Sequence, residues 1–193
     1  MGTSCWEHIS TAIGWIRELG PASVLDVGIG FGKWGFLCRE YLDVWCGSTE
    51  KSEWRTRIVG IEGFQPYVHP GTRHVYDEVL IGDATEKIHE AGLFDLVIMA
   101  DILEHFTRHW ANCMLVNAVA ISKAVLIVTP GGKWPQGALN GNEYERHRSV
   151  VKRRHVRTMF PMLKHEDFEN GGRGYWMALL EGHQAKEAVN ARR

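Results

Sequence analysis

The sequence predicts a three-layer α/β/α fold on a doubly wound, mostly parallel seven-stranded sheet that ends in an antiparallel hairpin. Three observations lead there. Short apolar segments alternate with segments of helical periodicity, the pattern of successive βαβ units. The short segments are almost continuously apolar, as strands covered on both faces must be. Two late strand-like segments then flank Asn170-Gly171-Gly172-Arg173-Gly174, a glycine-rich link suited to a hairpin.

Taken in order, residues 4–19 place Trp6, Ile9, Ile13, Trp15, Ile16 and Leu19 at roughly helical spacing, and Gly20-Pro21 stops that helix. Ser23–Val27 reads as a buried strand, residues 33–43 as a helix, and the polar residues 46–56 as a surface loop. Ile58–Glu62 is the second strand and Val79–Ile81 a short third. A brief helix is expected over residues 84–91, a fourth strand over Phe94–Ala100, and a helix over residues 107–121. Val125–Val128 is the fifth strand, closed by Pro130-Gly131-Gly132. Residues 149–160 read as a helix, and Leu163–Phe168 and Tyr175–Leu180 as the hairpin strands.

At 193 residues the chain suits one α/β domain, taken here as 1–193, with an N-terminal helix within 1–20 and a substrate-side loop at 132–149. The net charge of -1 provides no global basic field for nucleic acid. One stretch is locally basic: Arg146, Arg148, Lys152, Arg153, Arg154 and Arg157. It reads either as a solvated helix face or as a phosphate-binding face. Four scattered cysteines without a CxxC pair fit a reducing compartment. Neither a leader pattern nor a membrane-length apolar run is evident, so a soluble, cytoplasmic protein with no membrane partner is expected.

Leu25-Asp26-Val27-Gly28-Ile29-Gly30-Phe31-Gly32-Lys33-Trp34-Gly35 follows a buried strand and opens a helix. Glycines there allow a tight turn and close approach of a ligand to the main chain, beside the free N–H groups of the helix start. Dinucleotide dehydrogenases use similar physics, and residues 30–35 match GxGxxG, a weak signal alone. A carboxylate at Asp26 is awkward beside a pyrophosphate but welcome beside a cationic amino-acid ligand. Asp83 follows the third strand, where it would hold an adenine amino group or cap the next helix.

These segments resemble those of class I S-adenosylmethionine methyltransferases. Leu25-Asp26-Val27-Gly28-x-Gly30-x-Gly32 looks like that family's motif I, and Glu62 in Gly60-Ile61-Glu62-Gly63-Phe64 stands where it places an acid on the ribose hydroxyls. Ile81-Gly82-Asp83-Ala84 resembles the adenine-side motif, and residues 94–105 the fourth-strand motif. The resemblance spans roughly residues 20–181. It implies S-adenosylmethionine as cofactor, S-adenosylhomocysteine as product, and a cofactor site formed by Asp26, Gly28, Gly30, Phe31, Gly32, Glu62, Gly63, Asp83, Ala84 and Asp101.

Methyl transfer from a sulfonium is an in-line displacement, so position and alignment carry it. A nucleophile of high pKa also needs its proton removed, by a base or with a metal. His105, Glu104 and His147 are the candidate catalytic residues. Asp101, Glu104 and His105 form a D-x-x-E-H set that shares one face if the turn after strand four is helical. With His147 it resembles the metal set of small-RNA 2′-O-methyltransferases, Asp101 replacing the first Glu; a metal-free pocket is the competing reading. Trp134 and Tyr144 lie in a long segment of the kind that forms lids; Trp134 either stacks on a planar substrate or anchors the segment. Trp34 is expected to pack beneath the cofactor. The leading expectation is O- or N-methylation of a small molecule. Metal-dependent RNA 2′-O-methylation, with nucleic acid as partner, and cofactor binding without catalysis are the alternatives. The fold has almost no cap, so the pocket is either open or completed by a second copy in a homodimer.

Overall fold

The computed structural model describes residues 5–184. Its strands are β1 (Ser23–Val27), β2 (Arg57–Glu62), β3 (Glu78–Ile81), β4 (Phe94–Ala100), β5 (Ser122–Pro130), β6 (Met162–Asn170) and β7 (Arg173–Glu181). They form one seven-stranded sheet in the order β3-β2-β1-β4-β5-β7-β6. β3 to β5 run parallel, and β7 is antiparallel to both β5 and β6. The doubly wound sheet and its reversed terminal hairpin are as the sequence predicts.

Continuous apolarity in the strands follows from what covers them. Val24, Leu96, Ile98, Ala124 and Leu126 face one core with α1 (Ile9–Leu19), α2 (Lys33–Leu42) and α3 (Pro70–Val75). Leu25, Val27, Val97, Met99 and Val125 face the opposite core. There they meet Ile88, just past α4 (Ala84–Lys87), together with α5 (Arg108–Ala120) and α6 (Arg153–Met159). Side chains alternate faces along a strand, so each strand serves both layers. The strand order reverses between β1 and β4, and the crevice of such a sheet opens at the carboxyl ends of those strands.

Several boundaries differ from the sequence expectation for identifiable reasons. α1 begins at Ile9 because the Cys5 carbonyl accepts from Lys33 Nζ at 3.1 Å instead of from a helical N–H; residues 1–4 lie outside the described residues. α4 is only four residues long. α6 starts at Arg153, not residue 149. Its expected first turn is diverted: the N–H groups of Arg148 and Ser149 donate to the Glu104 carbonyl, and the Trp176 indole donates to the Val151 carbonyl. β5 runs on to Pro130, at the strand end where a missing N–H is tolerated. β6 and β7 pair up to Asn170–Arg173, leaving a Gly171-Gly172 loop with both φ values positive, the geometry of a type I′ turn. Among the described residues, no helix is long and apolar enough to cross a membrane.

A candidate active site at the switch point

A cavity of about 770 Å³ opens at the carboxyl ends of the parallel strands, within the range that holds a cofactor-sized ligand. Its β1–β3 side is built on the turns that follow those strands. Gly28 and Ile29 both donate to the Ile61 carbonyl, at 2.9 and 3.1 Å. Gly28 has φ +76, and a Cβ there would meet Ile102 Cδ1 at 2.6 Å. Only glycine fits both demands.

Glu62 organises this half. Its two oxygens accept from Gly30 N–H and Phe64 N–H, each at 2.8 Å, so one carboxylate joins the turns after β1 and β2. Burial raises its pKa, and those N–H groups pull it back. Gly63, Asp83 and Ala84 also line the cavity. Of the two roles the sequence left open for Asp83, the structure shows the helix cap. Asp83 caps α4 through Oδ1, which accepts from the Thr85 N–H and hydroxyl, while its residue still lines the cavity. Phe31 lines it too and stacks on His69. Tyr67, not anticipated from the sequence, completes this side, with Tyr144 over Gly63. Trp34 packs at the floor, 4% exposed.

Two expected cofactor contacts are corrected. Asp26 does not line the cavity. It lies beneath the turn, 1% exposed, accepting from the Tyr76 hydroxyl at 2.6 Å. Strand alternation explains this: Asp26 shares its face with Val24, which points into the helix-covered core. Burial pushes its carboxyl up to about 7 against the opposing pull of Tyr76. Gly32 is likewise off the cavity; it backs onto Thr72 and Tyr76.

The β4–β7 side is built of side chains. After β4 the chain takes a left-handed step at Asp101, φ 51, before a 3-10 turn at Leu103–His105. That step breaks the helical run on which a shared face of residues 101, 104 and 105 depended. Glu104, His105 and His147 do converge, with one ligand-type atom from each within 4.8 Å of the others. Asp101 is outside that group, correcting its expected place beside Glu104 and His105 in the metal set. Its carboxylate oxygens are sealed from solvent without a hydrogen bond of normal length. Burial raises its pKa, offset by Lys33, Tyr175 and the Cys5 main chain.

Glu104 is fully buried and accepts from Thr129 Oγ1 at 3.1 Å; burial and Asp101 raise its pKa. The His105 and His147 rings meet edge to face, centroids 4.9 Å apart. Burial lowers His105 to about 4, and it lowers His147 as well, so both are neutral at pH 7. His147 Nδ1 lies 2.7 Å from the Trp134 carbonyl. A carbonyl only accepts, so Nδ1 carries the proton and Nε2 keeps its lone pair. Trp134 lines the cavity and also packs on Tyr175 beneath the Arg173 guanidinium.

The doubly wound sheet with its reversed terminal hairpin is a Rossmann-like fold shared with solved structures of methyltransferases. The N-terminal domain of EvdMO1 with SAH bound superposes with a TM-score of 0.61 at 16% identity, over 93% of this chain and 82% of that one. Magnesium protoporphyrin IX methyltransferase from Synechocystis PCC 6803 with bound SAH gives 0.61 at 13%, over 91% and 82%. The methyltransferase domain of a bacterial CtHen1 gives 0.60 at 12%, over 90% and 97%. No family model and no curated protein sequence matches the chain. At these identities the likeness establishes the fold.

Proposed function

We propose that the protein transfers a methyl group from S-adenosylmethionine to an oxygen or nitrogen of a small molecule. One observation carries the reading: Glu62, 5% exposed, closes the tip of β2 against the glycine turn inside an open crevice, where a ribose would lie. Two of the structures sharing the fold hold SAH in their crystals. In the displacement the bond from the nucleophile to CH3 forms as the sulfur–CH3 bond breaks, and that electron pair stays on sulfur. The nucleophile's proton passes to His147 Nε2, the imidazole nitrogen left with a lone pair. His105, held neutral near 4, is the weaker proton acceptor and shapes the pocket beside it.

Thermal denaturation with SAM, SAH and NAD tests the cofactor. A ligand that binds only the native state at 100 times its Kd stabilises by about 2.7 kcal/mol. SAM and SAH should raise the melting temperature by several degrees, and NAD should not. A shift with NAD alone defeats the proposal.

The convergence of Glu104, His105 and His147 favours a second reading, in which a divalent metal assists the transfer. The residues fit such an ion. His105 Nδ1 is buried without a partner, both imidazoles are neutral, and the Trp134 carbonyl orients His147 as outer partners orient ligating histidines. A metal there would lower the nucleophile's pKa. Activity that survives exhaustive chelation excludes this route and leaves His147 as the base; activity lost on chelation and restored by Mg²⁺ or Mn²⁺ establishes it.

A further inference from the structure

The cavity wall beyond the β4 and β5 tips holds features that neither cofactor binding nor proton removal uses. Phe106, Trp110 and Trp134 line it, and Trp6 joins from the N-terminal segment. Trp110 is 48% exposed and Trp6 73%. Large indole surfaces left wet around a concave site offer flat faces for a ring to cover. The same wall includes Arg148. Its main-chain N–H is fixed on the Glu104 carbonyl at 2.8 Å, which anchors the side chain next to His147. The other guanidiniums nearby are engaged: Arg146 pairs with Glu143, and Arg173 lies over Trp134. That of Arg148 has no hydrogen bond or ion pair among the described residues. A guanidinium fork in a partly apolar recess suits a carboxylate or similar planar anion.

We propose that this half binds a planar aromatic acceptor bearing an acidic group, its ring against the indoles and its anion on Arg148. The idea rests on the methyl-transfer reading for what the acceptor is for, and on the cavity wall alone for where it binds. The acids of this half are engaged away from Arg148: Glu104 is buried and accepts from Thr129, Glu145 is buried and accepts from Gln136, and Asp101 is held beside the positive charge of Lys33. A nucleic-acid strand would need a wider basic field than a chain of net charge -1 supplies.

The test is calorimetric titration of the full chain, alone and saturated with SAH. The probes are 4-hydroxybenzoate and 4-hydroxycinnamate, their methyl esters, cyclohexanecarboxylate and a short single-stranded RNA. The aromatic acids should bind about tenfold more tightly than the esters and than the saturated acid. Arg148→Gln should abolish the difference between acid and ester, and Trp110→Ala the difference between aromatic and saturated ring. Both side chains are exposed, so neither variant threatens folding. Equal binding across the set, no binding of either aromatic acid, or tighter binding of RNA overturns the proposal. Discrimination that persists in a protein unable to bind SAH strikes the cofactor reading alone.

Discussion

Over the tips of β1, β2 and β3 the cavity wall is built on adjoining turns, whereas over β4, β5 and β7 it gathers side chains drawn from distant segments. The first half uses two glycine-bearing turns joined by Glu62. The second brings His105 and His147 together across 42 residues and holds His147 on the Trp134 carbonyl. Turn backbone can hold a ligand common to many proteins, because the recognising groups are amides present in any sequence. Side chains from loops vary freely on the same scaffold and set what is transformed. The two halves should therefore fail separately.

The largest separation is expected at His147. His147→Ala should lower kcat by about 10²–10⁴, the usual worth of a positioned base, with the SAH dissociation constant little changed by calorimetry. Loss of SAH binding in parallel would erase the division of labour. Next is Glu62→Gln, which places an amide NH2 against one of two backbone N–H donors. SAH affinity should fall roughly 10–100-fold, and residual turnover at saturating SAM should fall much less. An unchanged affinity would show that Glu62 only ties the turns.

Asp26→Asn should affect the ligand least and the fold most specifically. Its carboxyl is raised from 3.8 to about 7 by burial, with Tyr76 opposing. The native state therefore holds this proton more tightly than the unfolded chain. The contribution to stability is full below pH 4 and is lost as pH rises through 7. Three units correspond to on the order of 4 kcal/mol. Urea titrations should show Asp26→Asn gaining stability relative to the native protein between pH 4 and pH 8, with SAH affinity within about twofold. A constant difference across that range would mean that Asp26 is ionised in both states.

The same division explains what the sequence disclosed. Gly28, Gly30 and Glu62 were legible because a turn at a strand end is local: spacing and residue type suffice. Asp26 misled because its motif position says nothing of direction; the parity shared with Val24 was the available signal. Asp101 depended on one backbone angle, φ 51, which no periodicity reveals. The meeting of Glu104, His105 and His147 was anticipated from residue type and strand-end position. Lys33, Tyr67 and Tyr175 were missed. Each reaches the cavity from an element whose sequence reads as ordinary helix, loop or core strand.

Tyr76, at the end of α3, has a consequence for how a ligand is received. Its hydroxyl donates to Asp26 on β1 and accepts from the Gly35 N–H at 3.0 Å on α2. A Cβ at position 35 would lie 2.3 Å from its ring. The glycine loop is thus cross-braced from outside at both ends before anything enters. Its conformational entropy is surrendered when the chain folds rather than at each encounter, which leaves an incoming ligand a receptor already set in shape.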